Sequence, residues 1–511
     1  MDRDRIHWIV DYVSLGVRRE KMNGAMYVIL VVLAYLVVIL ITGIQAGRHK
    51  ENSIQEYVAA SRTLNFFIMY FLMGGAIFSA FAFLGGPGWA YSRGAASFYI
   101  LAYCAMGLFP WLIWGPRAYR LGKKNGYVTQ AELVADRFQS NALSALMAVV
   151  SILAFIQYIA LQLKGMAYVL NVTTGGVIPF WLGALLSYGV VLIYVLTSGV
   201  RGVAWTNVVQ AIMMIVMAWG LGLYLPFKLH GGIGPMFQKI YASMPKHLVI
   251  GPPGISWAAF SSAVAVSVLG FTMWPHLFMK AYVTDSEKTL KRTVAYYPTF
   301  AIIMVPVLFV GFAGIGVVPK ESLKSADEIL PTMIMTMKLS PLLLGFFAAA
   351  TLAAAMSSAD TITHGAASVY TMDFHKKLFN PHLDARKAVF VTRIAVLVFT
   401  SVAYYIAVFG AQSLVALLLG AYGSIVQFLP LVFATFFWHR ATKQGAIAGL
   451  VVGVVVNTYF QIFEKPPFDI HAGIWGLLVN IIVFVLVSYA TPAQPEAHVV
   501  RFTYGSMEKI D

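Results

Sequence analysis

Cysteine is almost absent. Cys104 stands alone in 511 residues, which excludes an intramolecular disulfide and a cysteine-ligated zinc cluster. Charge is scarce too: Asp, Glu, Lys and Arg make up 11% of the chain against 59% hydrophobic residues, with a mean hydropathy of +0.76. So few polar groups cannot cover an aqueous surface. No long polar block interrupts the apolar runs, so a separate soluble domain is not expected and one integral membrane domain, with membrane lipid around it, is. Acidic residues are the rarer sign, 21 against 36 Lys plus Arg. In a soluble chain a charge of +15 would point to nucleic acid; here the basic residues lie in loops, where they set orientation and meet anionic headgroups. Neither nucleic acid nor an obligate protein partner is expected.

What the chain has in abundance is apolar runs of about 18 residues or more. Thirteen helical spans are expected, over 25–46, 66–92, 95–115, 142–168, 177–198, 203–226, 255–280, 293–318, 341–371, 388–409, 413–437, 445–463 and 471–490. With a cytoplasmic C-terminus, the inside loops hold 22 Lys and Arg and the outside loops 9, in the sense the positive-inside rule requires and as a plasma or inner membrane would have it. Arg3, Arg5, Arg18, Arg19 and Lys21 run against that rule. Residues 1–24 therefore read as a tail, an interfacial helix, or sequence preceding an alternative start at Met22; they do not read as a signal peptide, because a full-length span follows.

Two spans are interrupted. Gly74-Gly75 and Gly85-Gly86-Pro87-Gly88 fall in the second, Gly270 and Pro275 in the seventh, five spans later. Backbone groups freed from a helix are tolerated in a membrane only where they line a cavity or bind something. A matched pair of broken helices in two five-helix halves points to an inverted-repeat transporter with its site near the midplane. The expected organisation is an extra first helix (25–46), a first repeat (66–226), an inverted second repeat (255–437), two peripheral helices (445–490) and a tail (491–511) on the cytoplasmic side.

The ninth span carries the stretch MSSADTITH, residues 356–364. At 100° per residue, Ala354, Ser357, Ser358, Asp360, Thr361 and His364 fall within an arc of about 160°, opposite Leu352, Met356 and Ala359. Such a stripe faces a bundle interior, and its ionisable members mark a pathway. Paired hydroxyls beside the Ala354 carbonyl suit a dehydrated monovalent cation, with unwound carbonyls from the second span completing the shell. The alternative is that the hydroxyls bond back to their own helix.

The segments GGPG (85–88), RGVAWTNVVQ (201–210), Pro275-His276, AAAMSSAD (353–360) with TMDF (371–374), and Arg440 followed by GAIAG (445–449) resemble the sodium/solute symporter family, and within it the pantothenate, monocarboxylate and proline permeases. The resemblance implies an all-α, LeuT-type fold of five plus five inverted helices and a sodium site formed by the carbonyls of Gly75, Phe78 and Ala354 and the hydroxyls of Ser357 and Ser358. Two positions depart from the family pattern. Asn207 stands where many members have the aspartate of a WTD motif, and Ile77 where the proline carrier has an aspartate. Asp360 either restores the lost charge or pairs with His364 at i+4.

Ser79 and Phe81 on the first broken helix, and Phe271 and Trp274 on the second, resemble solute-facing positions. Gln162 and Lys164 lie together in the fourth span, and Lys164 either snorkels to the interface or faces the cavity, where it would favour a carboxylate. The expected function is sodium-coupled symport of a small organic solute, a monocarboxylate or pantothenate-like anion. The alternatives are a proton-coupled or uncoupled facilitator and a sensory membrane domain. An enzyme is not expected, since Asp360 and His364 are the one such pair in a span and the twenty-odd residues after the last span leave no room for a catalytic module.

Overall fold

The computed structural model describes residues 3–46, 54–251, 255–337, 339–410 and 413–504. Lipid offers no hydrogen-bond partner, so each segment must satisfy its own backbone. Accordingly the described residues are helical apart from their connections, and their one extended pairing is an isolated parallel bridge between Leu64 and Thr284.

In chain order the principal helices are α1 (Arg3–Ala46), α2 (Phe66–Ile77), α3 (Phe81–Met106), α4 (Trp111–Asn125), α5 (Gln130–Phe138), α6 (Asn141–Thr173) and α7 (Phe180–His230). They continue as α8 (Trp257–Phe271), α9 (Pro275–Val283), α10 (Glu287–Gly314), α11 (Pro341–Leu378), α12 (Ala385–Phe409), α13 (Leu417–Phe437), α14 (Lys443–Ile462) and α15 (Ala472–Ala490). Among the described residues nine helices are long and apolar enough to cross a membrane, or eleven if each bent pair counts as one span.

The thirteen expected spans divide the chain more finely. Span 203–226 and all but the first three residues of 177–198 fall within α7, whose 51 residues would measure about 77 Å as one straight helix, over twice the ~30 Å hydrocarbon thickness. Gly199 interrupts it with φ 59° and ψ −156°. Only glycine fits there: a Cβ would also lie 2.7 Å from the Tyr57 carbonyl oxygen. Spans 66–92 and 95–115 are redrawn as α2, α3 and α4. At the N-terminus α1 runs without interruption across the expected boundary at residue 24.

Both interrupted helices are present, bent by 54° between α2 and α3 and by 47° between α8 and α9. The first break does not fall on the Gly74-Gly75 pair. α2 passes through Gly74 and Gly75 as regular helix and ends at Phe78 (φ −84°, ψ 82°). The glycines permit close packing instead, since a Cβ on Gly74 would sit 2.4 Å from the Phe300 ring and one on Gly75 2.4 Å from Asn207 Oδ1. The second break opens after Phe271 and closes at Pro275, the first residue of α9, where the missing N–H removes no helical bond.

α11 is the buried axis of the bundle. Every residue from 348 to 369 is buried, against α1, α2, α6 and α7. Leu352, Met356 and Ala359, opposite the polar arc, therefore meet other helices rather than lipid. At one end of the bundle the two broken helices are tied together. The Leu64 N–H donates to the Val283 carbonyl (3.1 Å) and the Asp285 N–H to that of Leu64 (3.0 Å). Arg62 donates to the carbonyls of Tyr282 (3.0 Å), Gly122 (2.9 Å) and Tyr127 (2.7 Å).

Candidate functional site

A helix leaves its last four carbonyls without a partner of its own. In α2 these belong to residues 74–77. Gly74 and Ile77 accept from the backbone N–H groups of Phe78 and Ser79, both at 3.0 Å. The carbonyls of Gly75 and Ala76 face α11. Ser357 donates to Gly75 O (2.8 Å) and to its own helix at Ala354 O (3.1 Å); Ser358 donates to Ala76 O (2.9 Å) and, longer, to Gly75 O (3.4 Å). Five neutral oxygens from two helices thus converge in a fully buried place. Of the expected oxygens, those of Gly75, Ala354, Ser357 and Ser358 lie in this group. The carbonyl beside that of Gly75 which the serines reach is Ala76, whereas Phe78 caps α2.

The polar arc of α11 continues into a second cluster. Asp360 accepts from Tyr194 OH (2.8 Å), Thr206 Oγ1 (3.2 Å), both carboxylate contacts of Asn207 Nδ2 (3.2 Å each) and Thr361 Oγ1 (3.1 Å). It makes no pair with His364. The His364 ring nitrogen lies 2.9 Å from the Tyr57 carbonyl and the ring packs against that tyrosine. The i+4 alternative for Asp360 is therefore corrected: α7 takes the carboxylate, while the connection before α2 takes the histidine. Asn207 Oδ1 is buried without a partner and aimed at Gly75, so Asn207 stands between the carboxylate and the converging oxygens. Tyr194 and Thr206 were not singled out from sequence. Their signal, hydroxyls flanking Arg201 inside apolar spans, is too common to select them.

The second break brings the aromatic candidates together. Trp274 packs on Tyr158 (5.1 Å between ring centroids), Tyr422 (5.6 Å) and Phe155 (5.7 Å); Phe271 lies 5.9 Å from Tyr103, which lies 6.3 Å from Phe81. Gln162 Oε1 accepts the N–H of Ala80, the residue before α3, at 3.0 Å, and Ser79 Oγ accepts that of Phe81 at 3.1 Å. Gln162 Nε2, Trp274 Nε1 and Tyr297 OH are buried without a partner. Buried polar atoms are rarely left unpaired, so donors such as these mark where an acceptor group could sit. Tyr103, Tyr158, Tyr297 and Tyr422 escape sequence reading because aromatic residues are abundant at helical spacing throughout the chain.

Lys164 is not brought to this group. Its ammonium donates to the Gly410 carbonyl (2.8 Å) near Asp327, whose carboxyl is pushed up by burial and drawn down by the Leu414 N–H, Ser325 and Lys164. The adjacent Gly165 faces the first break, where a Cβ would lie 2.4 Å from that of Ala80.

The chain matches the model of the sodium:solute symporter family over residues 57–453. It is 32% identical over 489 residues to the uncharacterized symporter YhjB of Bacillus subtilis, covering 92% of this chain and 98% of that protein. It is 28% identical to a monocarboxylate transport permease protein of Rhizobium johnstonii, covering 90% and 96%. Among solved structures, a sodium-coupled sialic acid symporter in an outward-open state superposes with a TM-score of 0.77 at 19% identity, covering 92% of this chain and 98% of that one. The chain therefore belongs to the sodium:solute symporter family: it is a multi-pass membrane carrier of a small solute, not an enzyme, and it uses sodium.

Proposed function

We propose that the protein couples the downhill movement of sodium to uptake of a small organic anion bearing a carboxylate, by alternating access across the plasma membrane with its C-terminus in the cytoplasm. The observation that carries this reading is the convergence of Ser357 and Ser358 with the carbonyls of Gly75, Ala76 and Ala354 at a broken helix. Neutral oxygens in that number suit a dehydrated monovalent ion, with the Phe78 carbonyl a further ligand if the end of α2 shifts. Asn207 and Asp360 supply the field around it. The matched bends of 54° and 47° support two five-helix halves, 66–226 and 255–437, within thirteen spans.

For the solute, the monocarboxylate permease among the relatives and the buried donors Gln162 Nε2 and Trp274 Nε1 favour a carboxylate acceptor. Ser79, Phe81 and Phe271 would border it, and Lys164 would act, if at all, on the approach. The test is uptake of radiolabelled acetate, pyruvate, pantothenate and proline into proteoliposomes. Accumulation of one that collapses when inward sodium is replaced by potassium supports the reading; equilibration without accumulation would favour an uncoupled facilitator.

A further inference from the structure

α2 and α3, taken as one bent span, carry the chain from the Arg62 tie to the opposite end of the bundle, the outer end in the orientation proposed above. There a cavity of about 630 Å³ lies between Arg93 and the connection from α7 to α8, with Met244, Lys246, His247, Val249 and Ile255 among its walls. It has no part in the site described so far. A cavity of that size, largely apolar with a few polar groups, is the usual form of a small-molecule site. Its charge is of one sign: Arg93 and Lys246 are exposed side chains, and none of the described lining residues is acidic.

Local structure holds these walls in place. Gly94 (φ 63°) turns α3 against the connection, where a Cβ would collide with the His247 carbonyl oxygen. The His247 ring donates back through Nε2 to the Ala90 carbonyl (3.0 Å). The Arg93 guanidinium lies over the Trp89 ring at 4.8 Å, a contact that orients the cation without cancelling its charge. From Trp89 the rings continue inward. Trp89 packs on Tyr99 (5.1 Å between ring centroids) and Tyr99 on Tyr103 (5.6 Å), the ring that meets Phe271 at 5.9 Å. The cavity wall is thus joined by packed rings to the aromatic group at the second break.

We propose that this cavity is an outer binding site for a small organic anion, namely the carried solute before it enters. Arg93 and Lys246 attract the carboxylate, while Met244, Val249 and Ile255 cover the apolar part of the molecule. Two cations at one opening raise the local concentration of an anion and speed its capture. An inorganic anion would gain nothing from the apolar walls. The site is separate from the group around Trp274, but its ligand class rests on the carboxylate reading above.

The experiment uses the full-length protein with Val249→Cys in a Cys104→Ala background, alkylated by a neutral maleimide in sodium-free choline buffer, with the choline salt of pyruvate as probe. Thermal unfolding checks that each variant is folded. Pyruvate is expected to slow alkylation. For charges about 6 Å apart in a water-like dielectric each cation is worth roughly threefold in affinity, so adding Arg93→Gln and Lys246→Gln together should raise the pyruvate needed for equal protection about tenfold. Arg93→Lys keeps the charge and should stay within about twofold of its parent. In about 1 M choline chloride, where the screening length falls to roughly 3 Å, most of the difference between parent and double variant should vanish. Alkylation untouched by pyruvate, or equal protection with and without the two cations, overturns the outer site alone. Accumulation in proteoliposomes of only those solutes that lack a net negative charge overturns the carboxylate reading, and the assignment of this cavity to the solute with it.

Discussion

Replacing Ser357 with alanine removes one of five converging oxygens and leaves the rest of α11 as it is. The hydroxyl donates to Gly75 O at 2.8 Å and Ala354 O at 3.1 Å, so without an ion it quiets two carbonyls and with one it turns its lone pairs to the metal. Deleting a partner from a buried polar group costs roughly 1–3 kcal/mol, about 5- to 150-fold in an equilibrium constant. For the ion-bound state the lower part of that range applies, since four of the five oxygens remain to hold the ion. Half-saturating sodium for solute uptake should rise about tenfold, with the maximal rate at saturating sodium little changed. Ser368→Ala is the control: that hydroxyl donates back to the His364 carbonyl of its own helix at 2.7 Å, and less than about a twofold change is expected there. The assay is a sodium titration of uptake in proteoliposomes at constant ionic strength. If Ser357→Ala and the double variant with Ser358→Ala both keep wild-type sodium dependence while folded, the oxygens at the α2 break do not hold the ion.

Gly75→Ala should abolish sodium-driven uptake and lower the thermal midpoint. Its Cβ would sit 2.4 Å from Asn207 Oδ1, and such overpacking costs about 1–3 kcal/mol. Asp360→Ala strands the donors of Tyr194, Thr206 and Asn207, so it should destabilise the protein by more than Asp360→Asn, a difference that thermal unfolding in detergent would register. Arg62→Ala removes three bonds to the carbonyls of Tyr282, Gly122 and Tyr127; greater alkylation of a cysteine introduced at Thr284, in a Cys104→Ala background, is expected, and unchanged labelling would refute a tie between the broken helices. Trp274→Phe should raise the KM for the carried solute at least about fivefold by removing an unpaired N–H, whereas Lys164→Gln should change it less than about threefold, because the Lys164 ammonium is engaged at Gly410.

Local chemistry is what made part of this legible beforehand. Apolar runs marked membrane helices because lipid demands them, and the period of 3.6 residues placed Ser357, Ser358, Asp360 and His364 on one arc. Interruptions five spans apart marked the two bent helices. The same local signals misplaced the first break, while the second lies between Gly270 and Pro275 as read. Gly74 and Gly75 read as unwinding residues, yet α2 runs through them and ends at Phe78, because what fixes those glycines is the approach of Phe300 and Asn207 from other helices. The partners of Asp360 were equally out of reach. An i+4 histidine is visible in a string of letters, but Tyr194 and Asn207, over 150 residues earlier, are visible only once α7 has packed against α11.

The order of residues alone settled the solvent of this chain, the type of its secondary structure and which face of the ninth span is polar, since each depends on hydrophobicity and periodicity within one segment. Folding decided which carbonyls the serines meet and which histidine contact replaces the expected pair. Those outcomes depend on contacts between helices distant in sequence, where position is fixed by packing and no local pattern records the partner.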